Sequence, residues 1–425
     1  MTPSAPGPTG SAPDPGRRTG QILALVTAFL TLFSIVGFAL YGLPFFYNFF
    51  VTDLGWTRQA VTSGNAYSKI AAAVLFGLVA GIIVDAFGPR RLMLVGIVMA
   101  GCAVFGLSTV TSSSFLLFYL CYGLNALGYV FGGPLPNQVM LSRYFDAGRG
   151  RAMGIAYLGI GIGGAVVMQL LPYLIQSLGW RGALRTLGVL MIVIAFPAAW
   201  FVREPRESQA REAPQEPLRR RLAASLREVP GFLREMLKRP AFYLLAIGSM
   251  ASIGAVGGTM QNLKLYLSLD RGFSEAQAGN VGTTILLGSL VGRLLMGWLA
   301  DVWPKKHVML LIYVIVAASI PLVYLAPSGG LLSAAAFLFG IGLGGDYMII
   351  PLMAAELFGL SRMGRVMGIV LTADGVAEAV APMGVATIRD GAGSYGPGFA
   401  LLATLALVGA AAVALLPRRT TPASY

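Results

Sequence analysis

The chain has 425 residues, of which 56% are hydrophobic and only 12% are charged, and its mean hydropathy is +0.73. A soluble protein carries about twice this charged fraction, so the composition excludes an ordinary soluble domain. Apolar runs of 18 or more residues recur along the whole chain, and each is long enough to cross a bilayer as a helix. The sequence therefore predicts an all-α membrane protein.

The predicted elements begin with residues 1–20, which lack the apolar core of a signal peptide and are expected to form a disordered cytoplasmic tail. Twelve transmembrane helices, spans 1 to 12, follow in two six-helix halves, 21–202 and 241–417, and residues 418–425 form a second tail. In chain order the spans are 21–50, 59–83, 92–111, 114–141, 152–176, 181–202, 241–267, 278–300, 308–326, 331–354, 364–388 and 397–417.

Basic residues gather at alternate ends of these spans. With the N-terminus inside, the inner loops and tails hold 23 of the 31 Lys and Arg residues. The outer loops hold five, Arg58, Arg181, Arg185, Arg271 and Arg389. This asymmetry follows the positive-inside rule, so the net charge of +13 reflects topology. We expect a multi-pass protein of the cell membrane with both termini cytoplasmic, a lipid bilayer as its surroundings and no nucleic-acid partner.

Residues 203–240 separate the two halves and carry ten basic and six acidic side chains. Leucine and valine recur every three or four residues in the second part of this linker, a pattern typical of an amphipathic helix. Such a helix would lie on the inner membrane surface, with its apolar stripe buried and its basic face near anionic lipid. A solvated linker with a helical bias is the alternative.

Two sequence landmarks recur at nearly one spacing. GIIVDAFGPRR at 81–91 corresponds to GWLADVWPKK at 297–306, and RAMGI at 151–155 corresponds to RVMGI at 365–369. The glycines of the first pair permit close helix approach, and the aspartates can cap a helix or bind a basic residue across the bundle. We interpret the first pair as a gate motif, although tight turns with topology charges are the simpler alternative. Its residues are Gly81, Asp85, Arg90, Arg91, Gly297, Asp301 and Lys305.

Twelve spans in two halves, with G-x-x-x-D-x-x-G-x-R-R after the second span, resemble the major facilitator superfamily. Narrower features are similar to its monocarboxylate and oxalate/formate branch in bacteria. They are LGWTRQAV at 54–61, RYFDAGRGRAMGIAYLGIGIGG at 143–164, GWRGALRTLG at 179–188 and the arginine of span 8.

The resemblance implies the major facilitator fold, in which two pseudo-symmetric halves rock around a site near the midplane. It also implies a secondary transporter of a cell inner membrane, and we expect the monomer to be the functional unit. The sequence agrees, because it has no phosphate-binding loop and its one histidine, His307, allows no Ser/His or Cys/His constellation. We therefore expect no enzyme activity, no cofactor and no metal site.

Four charged residues lie deep inside spans 8, 10 and 11 of the second half. From the rise per residue, Arg293 lies ~12 Å, Asp374 ~14 Å and Asp346 ~15 Å from the inner end of its helix, and Glu378 lies one turn beyond Asp374. An unpaired charge in hydrocarbon is costly, so Arg293 should face a carboxylate partner or a cavity.

In the branch that the chain resembles, the span 8 arginine binds the substrate carboxylate, and we carry that role to Arg293. The hypothesis is that a proton on Asp374 or Asp346, with Glu378 as a further candidate, frees Arg293 to bind a lactate- or pyruvate-type monoanion. A purely structural Arg–Asp pair is the alternative. Four further expected substrate contacts are Asn262, Tyr41, Phe45 and Ser289. Animal members of the branch carry an acidic residue at the position of Ser289.

Three other functions remain open on the sequence. An organic-anion exchanger of the oxalate/formate type would use a second cation in span 11, where this chain has Asp374 and Glu378. A proton-coupled exporter of organic cations would use those acids, and a nutrient receptor that no longer transports would have lost the gate motifs. Proton-coupled transport of a small organic anion is the preferred function.

Overall fold

We describe the fold from a computed structural model, which covers residues 15–57, 60–61, 63–64, 67–68, 70–71, 83–84, 87–145, 148–203 and 231–417. Within these ranges, ten helices are long and apolar enough to span a membrane. One of them, Arg149–Phe201, contains both span 5 and span 6. The two spans join at Gly179, where the backbone is non-helical, with φ 69° and ψ 167°. Span 2 falls largely outside the described residues, so the helices account for the other eleven predicted spans.

The helices lie close to the predicted positions. Their bounds in chain order are Pro15–Thr31, Leu32–Phe38, Ala39–Gly42, Leu43–Phe46, Tyr47–Thr52, Pro89–Leu107, Phe115–Gly132, Pro134–Tyr144, Arg149–Phe201, Pro240–Leu265, Tyr266–Asp270, Glu275–Val302, Lys305–Leu325, Gly330–Phe358, Leu360–Ala392 and Gly396–Ala414.

Span 1 is the least regular of the described spans. Its middle, Leu32–Phe38, is a π-helix, and Leu43–Phe46 is a 3₁₀-helix that contains Pro44. Proline lacks a backbone N–H, which explains the local change of helix type at Pro44. Span 1 also packs very closely on span 5, since a Cβ on Gly37 would lie 2.9 Å from the Cα of Gly163. Irregular backbone at this depth is therefore covered by protein.

The LGWTRQAV and GWRGALRTLG segments fasten the loop end of the first half that is predicted to be outer. Trp56 of the first segment donates its indole N–H to the backbone carbonyl of Ser112 at 2.8 Å. Trp180 of the second donates its indole N–H to Asp53, which precedes the first segment, at 2.7 Å. Arg181 donates to the backbone carbonyls of Ser108 and Val110 at 3.0 and 2.9 Å. These contacts satisfy backbone groups that a loop leaves unpaired, so the two motifs have a clear structural role.

The linker ends in a short helix at 231–236, and the rest of the predicted amphipathic helix lies outside the described residues. Phe232 and Met236 are buried against the second half, whereas the sequence pattern placed Leu237, which is exposed, on the apolar stripe. Glu235 accepts hydrogen bonds from Arg362 at 2.5 Å and Arg239 at 2.6 Å. The bond from Arg362 lowers the pKa of Glu235 below its usual range. This short helix therefore packs on the second half of the protein.

Candidate functional site

The two halves meet where span 5 crosses span 8, and glycine makes this crossing tight. A Cβ on Gly150 would lie 2.2 Å from the carbonyl oxygen of Gly297, and a Cβ on Gly154 would lie 2.4 Å from that of Arg293. Side chains of any size are therefore excluded from this contact. The G-x-x-x-G spacing of Gly150 and Gly154 was visible in the sequence and is typical of such close helix crossings.

Asp301 joins the same ends of spans 5 and 8. Its Oδ1 accepts the backbone N–H of Gly150 at 2.8 Å, and its Oδ2 accepts the backbone and side-chain N–H groups of Arg151 at 3.0 and 3.1 Å. The carboxylate thus satisfies free N–H groups at a helix N-terminus, where negative charge is also favoured. The GWLAD and RAMGI landmarks, identified separately in the sequence, meet in this contact. We call this end of the bundle the motif end.

Lys305, the last residue of the predicted gate in the second half, binds within its own half. Its Nζ lies 3.0 Å from Oε2 of Glu356. This ion pair joins the start of span 9 to the end of span 10, so it braces the motif end without crossing to the other half.

The equivalent gate residues of the first half are only partly described. Arg90 donates to the carbonyl oxygen of Trp200 at 2.5 Å, and Arg91 is exposed. Gly81 and Asp85 lie outside the described residues.

Arg293 lies at the interface between the halves and is only 7% exposed. Its Nη1 donates to the hydroxyl of Ser289, one turn earlier, at 2.8 Å. A Cβ on Gly161 of span 5 would lie 3.2 Å from the same Nη1. Within the described ranges no carboxylate lies within the 4.0 Å of an ion pair with Arg293, so the expected pairing with Asp346 or Asp374 is not formed.

Three tyrosines interact with the guanidinium of Arg293 instead. Tyr41, Tyr157 and Tyr347 lie near enough for an electrostatic interaction with Arg293. Gln138 donates its amide N–H to the Tyr157 hydroxyl, which orients that ring. Sequence analysis missed Tyr157 and Tyr347, because buried tyrosines in a helical membrane protein carry no periodic signal of their own.

Asp374 and Asp346 are buried in the second half, and serines of span 7 donate to both. The Ser249 hydroxyl lies 2.6 and 2.7 Å from the two Asp374 oxygens. Ser252 donates to Oδ2 of Asp346 at 2.9 Å. Because the serines are three residues apart, they share one helix face. Sequence analysis missed both serines, although their spacing was a usable signal.

Tyr313 of span 9 completes this buried group. It interacts electrostatically with both aspartates, and its buried hydroxyl lies beside the Asp346 carboxylate as a hydrogen-bonding neighbour. Glu378 is half-buried and interacts electrostatically with Asp374. We call Asp346, Asp374, Ser249, Ser252 and Tyr313 the aspartate compartment, and Arg293, Ser289, Tyr41, Tyr157 and Tyr347 the arginine compartment.

The comparisons with known proteins decide the family. Residues 27–274 and 245–425 match the model of the Major Facilitator Superfamily. The chain belongs to the Major Facilitator Superfamily. The predicted fold class and the expectation of a transporter instead of an enzyme are thereby confirmed.

Relatives of this superfamily member include monocarboxylate transporters. It is 29% identical over 350 residues to human monocarboxylate transporter 11, covering 78% of this chain and 69% of the relative. It is 28% identical over 316 residues to rat monocarboxylate transporter 12, covering 67% of this chain and 64% of the relative. The match thus spans just under two thirds of the rat protein.

Solved structures show the same fold. A proton:xylose symporter matches with a TM-score of 0.71 at 14% identity, covering 94% of this chain and 96% of the symporter. The human organic anion transporter MFSD10 matches with a TM-score of 0.67 at 15% identity, covering 95% of this chain and all of MFSD10. At these identities the likeness concerns the fold alone.

The remaining predicted contacts occupy different places in this major facilitator fold. Asn262 donates its amide nitrogen to the carbonyls of Gly258 and Pro382 at 2.9 and 3.3 Å, which ties span 7 to span 11. The Tyr41 ring packs on Gly164, where a Cβ would lie 2.4 Å from the ring. Phe45 is 36% exposed in the 3₁₀-helix of span 1.

Proposed function

We propose that the protein is a proton-coupled carrier of a small monocarboxylate of the lactate or pyruvate type, working by alternating access. The observation that carries the proposal is the buried guanidinium of Arg293 between the halves, with no carboxylate within ion-pair distance in the described residues. A cation in that place needs an anionic partner. A monocarboxylate fits, because arginine presents two parallel donors to two carboxylate oxygens. The names of the monocarboxylate transporter relatives support the same substrate class.

Protons are carried by the aspartate compartment in this proposal, with Asp374 and Asp346 as the acceptors and Glu378 beside them. Asp374 and Asp346 are buried among neutral hydroxyl groups, and two negative charges there are costly without a proton. Since Arg293 forms no ion pair with the described carboxylates, the proton breaks none there. The bound proton offsets the negative charge of the second half, so that the carrier changes between its outward-facing and inward-facing states when it is empty or fully loaded.

The motif end is the cytoplasmic end in this proposal, with both termini inside. Asp301 and the glycine contact of spans 5 and 8 hold that end closed, so the described conformation receives substrate from outside. Movement to the inward-facing state then requires Asp301 to leave the N-terminus of span 5.

The test is uptake of labelled lactate into proteoliposomes under an inward proton gradient, with wild type compared with Arg293→Gln. Arg234→Gln, in the exposed linker helix, is the charge-matched control. Pyruvate, oxalate and an organic cation serve as competitors. Uptake that requires the gradient and Arg293, resists oxalate and survives in the control supports the proposal. Transport of the cation without lactate overturns it.

Export of organic cations is the second candidate function. The observation that favours it is the pair of buried carboxylates, which have hydroxyl partners and no ion pair among the described side chains. In that case Arg293 is a structural residue at the interface. The competitor experiment separates the two functions directly, because the substrates carry opposite charges.

A further inference from the structure

Spans 5 and 8 separate on the side away from the motif end and leave an apolar groove of about 600 Å³. It is lined by residues 161–173 of span 5 and by Leu290 of span 8, and the polar side chains among its lining are Gln169 and Tyr173. Gly150 and Gly154 touch span 8 on the motif-end side of the groove, and Gly161, the first residue of span 5 in its lining, lies against the Leu290 side chain. We call it the span 5/8 groove.

The guanidinium of Arg293 lies beside Gly161, the lining residue at the near end of this groove. Gly161 lines the groove, and a Cβ there would lie 3.2 Å from Nη1 of Arg293 and 2.9 Å from the Leu290 side chain. Gly161 therefore puts no side chain of its own between the groove and the guanidinium. A single positive charge beside an apolar groove is complementary to a molecule with one negative end and an apolar body.

The other end of the groove opens on the surface of the helix bundle. Val166 is 41% exposed and Tyr173 is 68% exposed, and both lie within a predicted span. In a bilayer these side chains contact lipid tails. The groove thus runs from the lipid-facing surface to Gly161, which lies beside Arg293 at the interface of the two halves.

We propose that the span 5/8 groove binds the apolar tail of an amphipathic monocarboxylate whose carboxylate contacts Arg293, and that such substrates enter from the membrane. The inference rests on the proposed function and extends its substrate class to acids with longer alkyl chains. A dicarboxylate does not fit, because its second charge would be buried against apolar walls without a partner. The occupant is therefore a medium-chain monocarboxylic acid anion.

The experiment measures thermal stabilisation of the purified protein by butyrate, octanoate and octanamide, since a ligand that binds the folded state raises its stability. Octanoate should bind more tightly than butyrate, by up to about fourfold for each buried methylene. Octanamide, which has the same chain and no charge, should not stabilise. Equal affinity for butyrate and octanoate, or equal stabilisation by octanamide, overturns the inference.

Ala165→Trp is the variant that fills the groove, because Ala165 lines it and is exposed. It should abolish the advantage of octanoate over butyrate. Ala411→Trp, at an exposed alanine of span 12, is the matched control and should behave as wild type. An octanoate advantage that survives in Ala165→Trp contradicts the inference.

A second readout does not depend on the folding of the tryptophan variant. Ala165→Cys, in a protein whose exposed Cys102 is replaced by serine, should be protected from maleimide by octanoate and not by butyrate. Absence of this protection also contradicts the inference. The proposed function fails separately, if Arg293→Gln binds butyrate as well as wild type does.

Discussion

The arginine and aspartate compartments both hold charge inside the membrane, but they are built differently. All members of the aspartate compartment come from the second half, on spans 7, 9, 10 and 11. The arginine compartment takes Tyr41 and Tyr157 from the first half and Arg293, Ser289 and Tyr347 from the second. In the proposed alternating access, the aspartates move as one unit with their half, whereas the surroundings of Arg293 change whenever the halves move. The proposed substrate site, which must open, is thereby kept apart from the proposed proton site, which must stay dry.

The strongest test of this comparison replaces one charge in each compartment. Arg293→Gln should lower both lactate uptake and lactate exchange by about 100-fold, because a charge-assisted contact to the anion is lost. Asp374→Asn should abolish uptake driven by a proton gradient and leave exchange at equal pH intact. Both rates are measured in the same proteoliposomes. Unchanged gradient-driven uptake in Asp374→Asn would assign the proton to another group.

Asp301 tests the motif end that serves both compartments. Asp301→Ala removes the acceptor for Gly150 and Arg151, and loss of a helix cap costs ~1 kcal/mol, which shifts the ratio of closed to open states by about fivefold. Labelling of a cysteine at Ala300, buried at this end, should accelerate by the same factor.

The control for that experiment is Asp53→Ala, which removes an acid at the opposite end of the bundle. It should leave labelling at position 300 unchanged. If Asp53→Ala and Asp301→Ala accelerate labelling equally, the effect is general destabilisation and not release of the motif end.

Two serines provide a matched pair of smaller effects. Ser289→Ala removes the acceptor under Arg293, and Ser249→Ala removes the donor to Asp374. Each hydrogen bond is worth ~1 kcal/mol, so each change is expected to be up to fivefold. Ser289→Ala should weaken lactate affinity without moving the pH midpoint of uptake, and Ser249→Ala should move the midpoint without weakening affinity at saturating proton concentration. Identical phenotypes would merge the two compartments into one site.

The smallest effect is expected outside both compartments, at Glu235. Arg362 lowers the pKa of Glu235 in the folded protein. The bond therefore stabilises the folded state at pH values above the ordinary glutamate pKa, and this stabilisation is lost as the pH falls through the lowered pKa. Because the pair is partly exposed, Glu235→Gln should cost only a few tenths of a kcal/mol at pH 7. Thermal unfolding at pH 7 and in progressively more acid buffer below the ordinary glutamate pKa of about 4.3 measures this difference, which should shrink as the pH falls. Lactate transport should not change.

The sequence was sufficient where one physical rule governs many residues. Hydrophobic runs located eleven spans within the described chain, since every apolar run of that length must form a helix in hydrocarbon. The charge inside span 8 marked Arg293, and the repeated landmark marked Asp301, whose contact with Arg151 the structure shows. The expected pairing of Arg293 with Asp346 or Asp374 was inferred from depth along the helices, and depth does not determine which side chains meet. Residues at one level can face different neighbours.

By itself the sequence determined the membrane class, the division into halves and the positions of the charges, because hydropathy, loop charge and internal repetition are local properties of the chain. Only the tertiary structure decided which side chains meet. Ser249 and Ser252 contact the aspartates, while Tyr157 and Gly161 adjoin Arg293, because helix rotation and crossing set these contacts. The span 5/8 groove likewise exists only through the angle at which two helices separate.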